Sequence, residues 1–111
     1  MTAVDEVRMV YLTAPDEACA AAIARTLVDE RLAACVNILP GMRAIYRWEG
    51  AIEDVREVVL IAKTVPAQVM GLSARVRALH PYALPCILVL GVDGGFPPYL
   101  AWLAKESRPA P

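Results

Sequence analysis

The sequence predicts an α+β domain with the element order β-α-β-β-α-β and a short helix at its carboxyl end. Three observations predict it. Apolar side chains recur at helical spacing in two segments, β-branched and aromatic residues are concentrated in four others, and proline or glycine separates most of them. A chain of 111 residues is long enough for one domain and not two, so we expect a single domain over residues 1–111.

The first strand and the first helix are predicted near the amino terminus. Arg8–Ala14 is rich in β-branched and aromatic residues, and Pro15 follows it directly. Asp16 places a negative charge at a helix start, where the helix dipole favours it. The helix is predicted to run to about Leu32, with one apolar stripe that faces a sheet. Residues of this stripe recur every four positions: Cys19, Ile23 and Leu27.

A long β-hairpin is predicted between the second and third strands. Residues 35–39 form a strand that Pro40-Gly41 breaks, and the strand pattern resumes through Trp48 before a turn at Glu49-Gly50. Residues 52–64 are apolar on both faces near their end, which indicates a central strand covered on both sides. At about 3.3 Å per residue this hairpin extends roughly 40 Å, whereas a compact chain of this size has a radius of gyration of about 13 Å. Its tip must therefore project and needs a partner to cover it.

The last third of the chain repeats the helix and strand patterns. Pro66 suits the first turn of a second helix, and His80-Pro81 ends that helix. Residues 86–92 are continuously apolar, which predicts a buried strand. Pro97 or Pro98 begins the last helix. This order is the split β-α-β, or ferredoxin-like, arrangement, in which two helices cover one face of a four-stranded antiparallel sheet. We expect a neighbouring subunit to cover the other face.

The composition points to an oligomer and argues against two classes of partner. Apolar residues make up 58% of the chain, above the roughly 45–50% of an ordinary soluble domain. No uninterrupted apolar run approaches the ~20 residues of a membrane-spanning helix. We therefore expect a buried subunit interface and no membrane partner. The formal net charge of −1 provides no basic footprint, so we expect no nucleic-acid partner.

The cysteine count and the missing motifs suggest the compartment and the type of function. The amino terminus carries acidic residues and lacks the pattern of a signal peptide. Three cysteines cannot form a closed set of disulfides within one chain, and none lies in a CxxC pair. We therefore expect a cytoplasmic protein. No Ser-His-Asp order, HExxH, GxSxG or glycine-rich phosphate loop is present, so we expect a protein that is not an enzyme.

Six segments together resemble the CutA family of divalent-ion tolerance proteins. In chain order they are TAPD (13–16), LAACVN (32–37), YRWEG (46–50), the stretch from Glu57 to KT (63–64), LHPY (79–82) and YLAWL (99–103). They span nearly the whole chain in register, which makes the resemblance specific. It implies a ferredoxin-like homotrimer with long hairpins between subunits, metal binding by the trimer, and a role in tolerance of copper and other divalent ions.

Three residues depart from the pattern of that family. The family usually has Glu after the second proline of HPYxxPE, where this chain has Cys86, and Ala83 replaces another common Glu. Carboxylate ligands are thus lost and a soft thiol is gained. Near the last helix, Phe96 replaces the usual Asn of Gly-Asn-Pro. Phenylalanine cannot cap a helix, so the helix start needs another partner, such as Asp93 or water.

His80, Cys86 and Cys35 are the candidate metal ligands. His80 is the one histidine, and imidazole is the commonest neutral metal ligand. Thiolate and imidazole suit Cu(I) or Zn(II), and Pro81 and Pro85 stiffen the segment that joins His80 to Cys86. Each residue also has a structural interpretation, His80 as a helix terminator bonded to a carbonyl and both cysteines as buried filler. We expect no tightly bound cofactor, and copper or another divalent metal ion as the ligand.

Trp48, Tyr82, Glu57 and Lys63 are candidates for a ligand cleft between subunits. The aromatic residues equally suit interface packing. Glu57 and Lys63 are an even number of residues apart on one strand and so share a face, where they either meet a ligand or pair across subunits. The alternative function is a PII-like trimeric signalling module that binds a nucleotide or small metabolite in such clefts, on analogy of fold alone. A scaffolding trimer without a ligand is the third possibility.

Overall fold

The computed structural model describes residues 5–109. The elements are β1 (Arg8–Ala14), α1 (Glu17–Asp29), β2 (Cys35–Trp48), β3 (Ala51–Thr64), a 3₁₀ turn (Pro66–Gln68), α2 (Val69–Leu79), β4 (Ile87–Gly91) and α3 (Pro97–Glu106). The predicted ferredoxin-like fold and its terminal helix are confirmed. Residues 1–4 and 110–111 of the predicted domain lie outside the described residues, and its extent stays a prediction. None of the described helices has the length and apolar character needed to cross a bilayer.

The four strands form one antiparallel sheet in the order β2-β3-β1-β4. As predicted, β3 is central. Its residues Val58, Leu60 and Ala62 belong to the main core, together with buried residues of β1, α1 and α2. Alternation of side chains along a strand directs Glu57 and Val59 to the opposite face of the sheet. We call that face, which carries the odd-numbered residues of β3, the open face.

Helix α1 begins and ends through hydrogen bonds within the chain. The Asp16 carboxylate accepts a bond from the backbone N–H of Cys19 at 2.7 Å, a side-chain cap that satisfies one free donor of the first turn. The helix ends at Asp29, three residues before the predicted Leu32. There Arg31 takes a left-handed φ of 57°, and the N–H of Leu32 bonds back to the Leu27 carbonyl at 2.9 Å. The chain thus reverses earlier than the apolar pattern indicates.

The long hairpin projects, as predicted. Strand β2 runs through Pro40-Gly41 without ending, because the pair forms a bulge with Gly41 at a left-handed φ of 75°. The predicted break is therefore an irregularity inside one strand. At the tip, Glu49 and Gly50 have φ values of 48° and 82°, the pattern of a two-residue turn that matches strand twist. The molecule measures 54 × 27 × 21 Å, and its radius of gyration of 15.0 Å reflects this projection.

The prediction of a buried last strand is wrong for the single chain. Leu88, Val89 and Leu90 are exposed, and Leu88 retains 59% of its accessible surface. The physical reason is position: β4 pairs only with β1 and forms an edge of the sheet. The start of α3 agrees with expectation, because Pro97 begins the helix and the capping position, Phe96, makes no side-chain hydrogen bond. The proposed cap by Asp93 is likewise not formed.

Candidate functional site

A cavity of about 790 Å³ lies between the distal half of the hairpin and the segment that joins α2 to β4. We call it the hairpin cavity. Four of the seven predicted site residues line it together: Trp48, Tyr82, Glu57 and Cys86. Its other lining residues are Thr13, Tyr46, Arg47, Pro81, Ala83, Leu84, Pro85, Ile87 and Leu88. The predicted cleft residues therefore meet within one chain, with Lys63 as the exception.

Strand register explains why these side chains converge. Met42 pairs with Glu57 and Tyr46 pairs with Glu53, and paired residues in an antiparallel sheet share a face. Tyr46 and Trp48 are an even number of residues from Met42, so they lie on the face that carries Glu57. Thr13 of the neighbouring strand pairs with Val59 and joins the same open face. The segment after α2, residues 81–86, lies opposite this face and forms the other wall of the cavity.

His80 holds that segment in place. Its Nε2 donates to the Thr13 carbonyl at 2.7 Å, and its Nδ1 accepts from the Tyr82 backbone N–H at 3.1 Å. One nitrogen donates and the other accepts, so the ring is the neutral Nε2–H form assigned by its partners. A metal on either nitrogen would have to displace one of these bonds. The ring also packs on Tyr82, with centroids 4.9 Å apart.

Cys86 places a thiol in the hairpin cavity. Burial raises the pKa of the Cys86 thiol, a hydrogen bond with the Thr13 side chain opposes that change, and the negative charge of Glu57 adds to it. The net result is a raised pKa, so the group is a thiol rather than a thiolate at neutral pH. A metal that binds here must displace its proton.

Glu57 places a buried carboxylate in the same cavity. Only 7% of its surface is exposed. Among residues 5–109, the ion pairs form elsewhere and none involves Glu57. Its carboxylate oxygens are not among the fully buried atoms that lack a hydrogen-bond partner, so they are open to the cavity, where a cation could reach them. Burial also raises the pKa of the Tyr82 phenol, with Glu57 contributing, so that neighbour stays uncharged at neutral pH.

Two predicted residues lie elsewhere. Cys35 and Lys63 pair across β2 and β3, six positions along β3 from Glu57, a distance of about 20 Å at strand spacing. The Lys63 ammonium donates to the Tyr99 hydroxyl at 3.2 Å, and Cys35 Sγ accepts from the Asn37 amide at 3.8 Å. In the described part of the chain, no three His, Cys, Asp or Glu side chains converge on one point. His80, Cys86 and Cys35 therefore do not form a shared ligand set within one chain.

Thr13 is a site residue that the sequence analysis missed. Its carbonyl binds His80 and its hydroxyl bonds to Cys86, so it links the two predicted ligands. The available signal was its place in the TAPD segment, at the end of β1 and next to the strand that carries Glu57. Nothing in its residue type distinguishes it from an ordinary strand threonine.

Comparison with known proteins gives consistent matches. The family model of the CutA1 divalent ion tolerance protein matches residues 8–106. The chain is similar to the divalent-cation tolerance protein CutA of Thermus thermophilus, at 46% identity over 99 residues, 89% of this chain and 96% of that protein. The protein of the same name from Pectobacterium atrosepticum is 44% identical over 100 residues, 90% of this chain and 91% of that protein. The crystal structure of CutA from Xylella fastidiosa is 44% identical, with a TM-score of 0.90 over 92% of this chain and 98% of that one.

The raised pKa of Cys86 predicts a slow thiol whose reactivity depends on Glu57. In a Cys19→Ser/Cys35→Ser background, we expect Cys86 to be alkylated by iodoacetamide with a midpoint at higher pH than an ordinary thiol. Glu57→Gln should shift that midpoint to lower pH, because it removes the negative charge that adds to the effect of burial on the thiol pKa. The measurement is the alkylation rate by mass spectrometry from neutral to alkaline pH.

Glu53→Gln is the matched control for that measurement. Glu53 lies on the same face of β3 and does not line the cavity. Its substitution should leave the midpoint unchanged. Equal shifts in the two variants, or a Cys86 midpoint below that of a free thiol, would contradict the assigned environment.

Proposed function

The chain belongs to the CutA1 divalent ion tolerance protein family, and from that premise we propose that it is a homotrimer that binds copper or another divalent metal ion and supports tolerance of such ions. The proposed role is binding and not catalysis. The matched family and relatives are tolerance proteins, and they give no support to the PII-like alternative.

The pairing of Glu57 with Cys86 in one cavity carries the metal proposal. The Glu57 carboxylate, which forms no ion pair within residues 5–109, and the Cys86 thiol line the same space. Carboxylate oxygen with thiolate sulfur suits borderline and soft ions such as Zn(II) and Cu(I). Two protein ligands are fewer than the three or four of a strong site, so water or a second chain supplies the remainder. In this proposal His80 is a positioning residue, since both ring nitrogens already hold the cavity wall.

Exposed apolar residues support the trimer. They are concentrated on the hairpin and on β4, where each would be covered by a second copy of the chain. The set is Ile38, Leu39, Ile45, Ile52, Leu88, Val89 and Leu90. The outer edge of β4 adds backbone donors and acceptors that the sheet leaves unpaired. Apolar surface and open edge together favour assembly through the sheet and not through the helices.

We also propose a cytoplasmic location. All three cysteines are free thiols, as in a reducing compartment. Fractionation of cells of the source organism tests it, and recovery of the protein with periplasmic or membrane markers would refute the location without affecting the metal proposal.

Metal binding should depend on Cys86. Reduced protein is titrated anaerobically with Cu(I), and separately with Zn(II), in competition with a chromogenic chelator. We expect Cys86→Ser to weaken binding at least about tenfold, since it removes a thiolate ligand. Glu57→Gln should also weaken it. Apparent affinity should rise with pH, because the metal displaces a proton from a thiol of raised pKa.

Cys35→Ser is the control, because Cys35 lies far from the cavity on the same sheet. It should bind as the wild type does. If wild type and Cys86→Ser bound metal with equal affinity across the pH range, the proposal that the metal lies in the hairpin cavity would be refuted. Thermal stabilisation by ATP or ADP would instead favour the PII-like alternative, since a ligand that prefers the folded state raises apparent stability.

Assembly should depend on the exposed sheet residues. By sedimentation velocity at micromolar concentration, we expect a mass three times that of the 12.0 kDa chain. Leu88→Asp should lower this mass, because a charge would be buried in an apolar contact. Met70→Asp, at an 85% exposed position on α2, should leave it unchanged. A wild-type monomer, or equal dissociation by both variants, would refute assembly through the sheet.

A further inference from the structure

The hairpin cavity is much larger than a metal ion requires. Its volume of about 790 Å³ falls within the roughly 300–1,000 Å³ of small-molecule sites. Most of its wall is uncharged, and its two charged lining residues are Glu57 and Arg47. This space is large enough for a small organic molecule, and the charge and aromatic rings of the wall indicate which kind would bind.

The charge of the cavity favours a cation. Glu57 is more than nine-tenths buried and faces the cavity, and no ion pair within residues 5–109 involves it. Arg47 also lines the cavity, but no ion pair in that part of the chain includes it, and strand alternation places it on the opposite face of the hairpin from Tyr46 and Trp48. A phosphate or carboxylate ligand would meet an unpaired negative charge. A positively charged ligand would offset it.

The rings define the kind of cation. Tyr46, Trp48 and Tyr82 line the cavity and are each only partly covered. The faces of such rings attract weakly hydrated organic cations, and aromatic walls are the usual recognition device for alkylated ammonium groups. The Tyr82 ring is held against His80, so that wall is preformed. Apolar residues of the loop, Leu84 among them, suit an alkyl or aryl tail.

We propose that the hairpin cavity binds a small organic ammonium ion, with its charge between Glu57 and the rings of Tyr46, Trp48 and Tyr82. This site does not rest on the proposed metal function. Its ligand uses the carboxylate and the aromatic wall, whereas a metal uses the carboxylate and the Cys86 thiol. The two ligands share Glu57 and therefore compete.

Calorimetric titration of metal-free, full-length protein tests the proposal. The probes are tetramethylammonium and 2-phenylethylammonium chloride, and tert-butanol and 2-phenylethanol are the neutral controls of similar shape. We expect the ammonium ions to bind at least about tenfold more tightly than the neutral compounds, because only they interact with the carboxylate and the ring faces. Glu57→Gln should remove this preference.

The two tryptophans provide a matched pair of variants. Trp48 lines the cavity and Trp102 lies on α3, and each is 44% exposed. Trp48→Leu should weaken 2-phenylethylammonium binding by about tenfold, and Trp102→Leu should not change it. Tyr82→Leu gives a second test if Glu57→Gln does not fold. Sedimentation of every variant checks that assembly is unchanged.

Cys86→Ser separates this proposal from the metal site. It should retain ammonium binding while it loses metal binding, so either proposal can fail alone. Equal binding of charged and neutral probes, or the same loss in Trp48→Leu and Trp102→Leu, would overturn the ammonium site. Loss of ammonium binding only in variants that dissociate would overturn it as well, since the effect would then arise from assembly.

Discussion

The central strand β3 faces two different environments, and the rest of the structure depends on that alternation. The even-numbered residues in its second half, such as Leu60, are buried with α1 and α2 in the main core. The odd-numbered residues of β3 therefore lie on the open face, which α3 contacts near Lys63 and the segment before β4 covers near Glu57. The apolar surface of this face calls for a second copy. The same alternation directs the Glu57 side chain toward the hairpin cavity. A shift of one residue in the strand would place its carboxylate in the core instead.

The cavity also depends on one contact at the end of α2. His80 binds the end of β1 through the Thr13 carbonyl and the start of the next segment through the Tyr82 N–H. These two bonds set the distance between the loop wall and the sheet. They also give His80 a positioning role, because its ring holds the segment that carries Tyr82 and Cys86 against the sheet.

Local signals in the sequence predicted the element order, the central place of β3 and the projecting hairpin. The error at Leu88–Leu90 has a physical cause, since an apolar run shows that a strand needs cover and not which chain provides it. Trp48, Tyr82 and Glu57 meet within one chain, whereas Lys63 lies farther along the same face, and the predicted cleft between subunits stays a prediction. Neither Cys35 nor the role of Thr13 could be placed, because both depend on register between strands distant in the chain.

In the two proposals above, Cys86 distinguishes the metal ion from the organic cation. A Glu at position 86, the residue named above as usual in the CutA family, would add a second negative charge beside Glu57. The thiol, with its raised pKa, adds no second negative charge beside Glu57 at neutral pH. A monovalent organic cation then neutralises the site without ionising any other group. A metal ion gains its sulfur ligand only by displacing a proton, so its binding improves as the pH rises. If both proposed ligands bind, their competition for Glu57 should therefore depend on pH.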